Sequence, residues 1–268
     1  LDNMWSVSPD FSLESFCSAV DEVLVFQVRR RGRPIRSFTW RLGREAHDRL
    51  PPPATDTQGA LSWMEQDLAK GDRYAVAILQ TGLPVDTTLT GRSVVGECEG
   101  AGSEAVWYVA MATTRDAGDP LGLAVDRVEA AAARGGAAIR ADQVARWAEF
   151  WRRSGIRCSE PAVERARAIS MYLTGATLRP GKTSPGLQGM WCRENFPAWS
   201  ADFHGNINIQ AIYQQVLGSN HPELFEPYAA LYDGMRPQCE RDTASYFGCA
   251  GVRYPHAGSI DGHELTEP

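Results

Sequence analysis

Residues 185–210 read PGLQGMWCRENFPAWSADFHGNINIQ and concentrate polar and aromatic chemistry in one stretch. Trp191 and Trp199 stand beside Glu194, Asp202, His204, Asn206, Asn208, Gln188 and Gln210. A plain core helix is not composed this way, because each buried polar group needs a partner. Flat aromatic faces pack against the C–H face of a sugar ring, and amides, carboxylates and imidazoles bind its hydroxyls. The stretch therefore reads as the wall of a carbohydrate pocket.

Within it, Asn206-Ile207-Asn208-Ile209-Gln210 alternates amide and aliphatic side chains. If extended, it lines up its three amides on one face. Such amides can hold a water or a hydroxyl, but an amide is a poor base and needs a carboxylate behind it. The competing reading is a cap-and-turn cluster that opens the next helix. Asp202 suits a cap as well as a pocket, Glu194 suits a solvated loop, and Trp191 and Trp199 suit a core as well as a sugar platform. His204 precedes the asparagines by two residues. His256 and His263 are candidates from the tail, but their spacing has no metal-ligand logic, so neither a metal nor another cofactor is expected.

Working outward, the 268 residues suffice for one large or two ordinary domains, and 43% hydrophobic with 22% charged residues is an ordinary globular composition. A net charge of −6 excludes non-specific nucleic-acid binding, which needs a basic surface. The run Arg29 to Arg33 reads as a hairpin turn, with an anion-binding patch as the alternative. No stretch reaches the roughly 18–20 apolar residues of a membrane span. The chain starts Leu1-Asp2-Asn3 without an initiator methionine or signal peptide, which suggests a processed product or a piece of something longer. The six cysteines are scattered without a CxxC, so thiols are expected, with Cys239 and Cys249 the first pair to consider for a bridge.

The order of patterns predicts an α+β multidomain chain. Residues 1–115 read as a β-sandwich portion, with runs at Val23–Val28, Ile35–Leu42, Tyr74–Leu79 and Ser93–Gly96 and a central strand at Ala105–Thr113. Leu61–Leu68 is the one helix expected there. Residues 116–158 read as a helical linker, with helices over Pro120–Ile139 and Asp142–Arg153 separated at Gly135-Gly136. Residues 159–268 read as helical, with Val163, Ala166, Ile169 and Leu173 as the apolar stripe of the first helix. Further helices are expected over Ile207–Leu217 and from Pro222 to Cys239.

The segment RPGKTSPGLQGMWCRENFPAWSADFHGNINIQAIY resembles the entry to the catalytic domain of glycoside hydrolase family 95, the inverting α-L-fucosidases and relatives. That family reads close to RPG, LPANLQGxWN, PPW and YxxNINxQMNYW. Arg179-Pro180-Gly181, Leu187-Gln188-Gly189, Trp191, Pro197, Trp199 and Asn206 to Gln210 carry the match. Val106–Pro120 is similar to the family's last sandwich strand and its exit, His221–Pro227 to its EHEPL stretch, and Gly251–His256 to its GWVxHHNTD. The resemblance implies the C-terminal part of a β-sandwich, a helical linker and the first helices of an (α/α)6 barrel.

It also implies inverting hydrolysis, in which an acid and a base about 6.5–9.5 Å apart flank the bond. Asn206 and Asn208 would then position the attacking water as catalytic residues. His204, Trp191, Trp199, Gln188, Asp202 and His256 would bind substrate. The substrate would be a carbohydrate carrying a terminal α-L-fucoside or a related sugar such as α-L-galactoside. An extracellular or periplasmic location follows the family's habit. Cys192, Ala211 to Gln214, Pro255 and Ala257 to Ser259 depart from the family pattern near the pocket, so another sugar is expected. A full barrel takes on the order of 350 residues, so the general acid and the backing carboxylate are expected beyond Pro268. The alternative is a non-catalytic carbohydrate-binding or structural protein derived from the same fold.

Overall fold

The computed structural model divides into two compact units, Leu1–Trp147 and Ala148–Pro268. It describes residues 3–8, 11–30, 37–45, 48–68, 71–99, 102–190, 192, 194 and 197–265. The first unit holds strands β1 (Asn3–Ser8), β2 (Phe11–Ser18), β3 (Val23–Arg30), β4 (Ser37–Gly43) and β5 (Ala54–Gln58). They are followed by β6 (Leu61–Asp67), β7 (Arg73–Thr81), β8 (Val85–Thr90), β9 (Ser93–Glu99) and β10 (Glu104–Thr113). Seven form an antiparallel sheet in the order β1-β2-β3-β10-β7-β6-β5, and three form a second in the order β4-β9-β8.

The apolar run at Ala105–Thr113 forms the middle of the larger sheet, where Tyr108 lies opposite Val25 of β3 and Leu79 of β7. Alternation along the strand sends its side chains to two cores. Ala105 and Trp107 join Val28, Ile78 and Cys98, with Phe38 and Trp40 of the smaller sheet packed against them. Val106, Tyr108, Ala110 and Ala112 join Val25 and Ala77. They meet Ala124, Val128 and Ala131 of helix α1 (Pro120–Arg134) and Ile139 of α2 (Gly136–Arg153). The small alanine side chains let the helix lie close on the sheet, which makes this a sandwich-like sheet region covered by a helix.

Three expectations need correction here. Leu61–Leu68 is not a helix but contains strand β6, in which Ser62, Met64 and Gln66 point to a buried side. Its inward polar groups are satisfied locally: Gln66 donates to the Pro51 carbonyl and accepts from Tyr74. Polar residues on a buried face hid the two-residue period. The strands flanking the arginine run are not a hairpin, since β3 pairs with β2 and β10 while β4 pairs with β9. The turn itself, Arg31-Gly32-Arg33, lies outside the described residues. Finally, α2 starts at Gly136 rather than Asp142, because the left-handed Gly135 (φ 83) is the whole break and the Tyr108 hydroxyl accepts the Gly136 N–H.

The second unit holds α3 (Pro161–Thr177), α4 (Ile207–Gly218), α5 (Glu226–Phe247) and a two-residue ladder of β11 (Phe203–His204) with β12 (Ala257–Gly258). Glu160 caps α3 ahead of Pro161 by accepting the Ala162 N–H. The apolar stripe foreseen for α3 is on its outer side: Val163 and Ile169 are 50% exposed and Leu173 40%. Met171, Thr174 and Gly175 are buried instead. Thr174 and Ser170 each hydrogen-bond Gln215 of α4, so polar residues pair across helices on the inner side. In α4, Ile209, Tyr213 and Val216 are buried at helical spacing. Cys239 is buried and Cys249 exposed, and both are thiols.

Candidate active site

The loop between α3 and α4 is pinned at several points. The Ser184 hydroxyl and the Tyr213 hydroxyl share a buried hydrogen bond of 2.7 Å. Burial pushes the Tyr213 phenol up to about 12, with the Ser184 hydrogen bond opposing. The Leu187 N–H donates to the Asp202 carbonyl at 2.8 Å. Gly186 permits that approach, since a Cβ there would overlap the Ala201 carbonyl oxygen. Gly205 does the same beside Pro255, whose carbonyl oxygen would lie 2.6 Å from an added Cβ. The Gly205 N–H donates to the His256 carbonyl at 2.7 Å. With β11 paired to β12, His204 opposite Ala257, the tail is drawn onto the segment that precedes α4.

These contacts gather five of the foreseen residues. His204 Nδ1 lies 2.8 Å from Asp202 Oδ1, within ion-pair range. The ring is turned off the hydrogen-bond line, and both atoms are buried without a hydrogen bond. The rings of His204 and His256 pack edge to face at 5.3 Å. Asn206 caps α4, its Oδ1 accepting the Asn208 N–H at 3.4 Å, while its Nδ2 lies 2.8 Å from His256 Nε2. Asn208 is exposed and lines a recess with His204, Phe203, Ile209, Ile212 and the Pro185–Leu187 turn. The recess encloses about 10 Å³, roughly the room one water needs.

The extended reading of Asn206 to Gln210 is overturned. The helix begins at Ile207, and in a helix residues two apart are turned by roughly 200°. Asn206 is the cap, Asn208 faces the recess, and Gln210 turns back to donate to the Gly205 carbonyl at 3.3 Å. Gln188 is exposed and donates to the Ala198 carbonyl. Trp199 is 60% exposed, and Glu194 is exposed on the loop beside Cys192. Trp191 lies outside the described residues. Trp199, Ser200 and Ala201 all take left-handed φ of 51–55°, a conformation that costs a non-glycine residue roughly 1–3 kcal/mol. His263 forms no part of this cluster; its N–H donates to the Ser259 hydroxyl.

Ser184, Tyr213, Gly186 and Gly205 went unassigned in the sequence, although they hold the pocket together. The glycines carried a signal: an isolated glycine in an ordered segment marks a close backbone approach. Among the described residues no group of three or more His, Cys, Asp or Glu could hold a metal ion. No helix among them is long and apolar enough to cross a membrane.

Comparison with solved structures places the fold first. The chain is similar to a putative kojibiose phosphorylase from the human microbiome with a TM-score of 0.71, over 97% of this chain and 37% of that one, at 12% identity. The sheet-then-helices architecture is thus an established one. Residues 161–266 match the glycosyl hydrolase family 95 catalytic domain. Over 56 residues the chain is 45% identical to the probable alpha-fucosidase A of Aspergillus niger, covering 21% of this chain and 7% of that protein. Over 64 residues it is 41% identical to alpha-L-fucosidase 2 of Arabidopsis thaliana, covering 24% and 7%. The matches therefore span a small part of these relatives' length, and it is residues 161–266 of this chain that are similar to the family 95 catalytic domain.

Proposed function

We propose that this chain carries the water-positioning part of the active site of an inverting glycoside hydrolase. The bond cleaved is a terminal glycosidic bond, that of an α-L-fucoside or a related sugar such as an α-L-galactoside. The observation that carries the proposal is the recess lined by Asn208 and His204, large enough for one water. The fucosidase names of the two relatives support the sugar class. In this reading Asn206 and Asn208 hold the attacking water. Asp202 and His204 bind sugar hydroxyls, with Gln188, Trp199 and Trp191 as further sugar contacts. Residues 1–115 are the sandwich portion, 116–158 the linker, and 159–268 the first helices of an (α/α)6 barrel. Secretion fits a substrate of that kind. The general acid and the carboxylate that backs the asparagines are assigned to other parts of the enzyme.

Hydrolysis of aryl α-L-fucoside and α-L-galactoside by the full-length protein tests this, with the anomer of the first-formed sugar read by proton NMR. Inversion is expected. Asn208→Ala should lower kcat by about 10²- to 10⁴-fold, the range for a positioned proton-transfer system. A variant that keeps the wild-type rate, or product of retained configuration, would overturn the reading. Sugar binding without turnover would point instead to a carbohydrate-binding protein on this fold.

A further inference from the structure

We propose that His256 is a positioning residue for Asn206, and that its ring does this only while unprotonated at Nε2. The catalytic consequence rests on the role given to Asn206 above; the contact itself rests on geometry. The two ends of an asparagine amide differ, since the oxygen accepts and the nitrogen donates. A backbone N–H can only donate, so the end of Asn206 facing the Asn208 N–H is the oxygen. The nitrogen is thereby assigned to the other side, 2.8 Å from His256 Nε2. An amide nitrogen has no lone pair to offer, so the ring nitrogen is the acceptor. The imidazole is therefore neutral, with its proton on Nδ1.

The cap of α4 and the tautomer of a histidine 50 residues away are thus one linked choice. A proton on Nε2 would set donor against donor and drive the amide to turn, releasing the cap. The ring is held for the task by the Gly205 N–H on its backbone carbonyl and by the edge of His204. The titratable groups of the flanking segments are His204 with Asp202 before α4, and Arg253, Tyr254, Asp261, His263 and Glu264 on the histidine's own loop. Arg253 and Glu264 pair with each other at 2.6 Å.

Three variants of the full-length protein decide the matter: His256→Leu, His256→Gln and Asn206→Ala. With ¹⁵N-labelled histidine at neutral pH, Nε2 of His256 should resonate as an unprotonated ring nitrogen. His256→Leu should lower kcat about 10- to 100-fold, the scale of a misplaced reacting group, while KM shifts by less than about threefold. His256→Gln places an acceptor oxygen in the same reach, so it should recover most of that loss. It has no ring to protonate, so its activity should also persist further to the acid side. Nε2 found protonated, or His256→Leu with wild-type kcat beside an impaired Asn206→Ala, overturns the proposal. A raised KM at unchanged kcat does so too, because it would make His256 a sugar contact. If Asn206→Ala itself keeps the wild-type rate, the functional reading fails, and the tautomer measurement still decides the contact.

Discussion

In β10 the neighbours Val106 and Trp107 point to opposite faces, and both are buried, one against α1 and one against the smaller sheet. In α3 the regular apolar stripe of Val163, Ile169 and Leu173 is half exposed, while Thr174 and Met171 go inside. The sheet satisfies its pattern within its own unit. The helix buries a mixed face and leaves its apolar one on the surface. Within these residues, the periodic pattern says that two faces differ, not which of them is covered here. In α3 hydrogen bonds to Gln215 make the polar side an acceptable interior.

The largest effect on stability should come from the sheet. Trp107→Ala would empty the space beside Phe38, whose ring centroid is 5.0 Å away, and should cost about 3–5 kcal/mol in urea unfolding. The helical unit gives the sharper contrast. Met171→Ala should cost about 2–5 kcal/mol, whereas Leu173→Lys should stay within about 0.5 kcal/mol. The reverse order would mean that the stripe, not the mixed face, is the packed one.

Alkaline titration probes the same interior from the α4 side. Tyr213, pushed up to about 12 by burial, has a folded pKa above its unfolded value of about 10. Its contribution to stability is complete below pH 10 and is lost as the pH rises towards 12. Burial pushes Tyr232 up to about 12 as well, so phenolate absorbance in Tyr213→Phe should show a step near pH 12 of reduced height relative to wild type. The smallest change concerns the left-handed run before Asp202. Ser200→Gly should gain about 0.5 kcal/mol, the relief at φ 55° less the entropy glycine adds to the unfolded chain. A loss of stability would show that the serine side chain outweighs the strain.

Much of the fold was legible because local chemistry and fold agreed. The apolar run of β10 and Pro161 at the head of α3 each carry their own explanation. Strand β6 was not legible, because Ser62 and Gln66 sit on a buried side with hydrogen-bond partners that only the folded sheet supplies. The same holds for the inner face of α3. In the candidate site the residue types of 185–210 pointed to a pocket, and capping was already a stated reading of Asn206. The meeting of Asn206 with His256 was not deducible from spacing, because a tail contact created by the β11–β12 ladder fixes it.

That ladder also bears on when the pocket can exist. It is two residues long, yet it joins stretches about 50 positions apart. Closing such a loop loses chain entropy before any of its contacts are made. During synthesis, a chain that has exposed α4 but not residue 256 has a helix start with no clamp on Asn206. The pocket is then a late event in folding, formed when the tail docks rather than when the helices do.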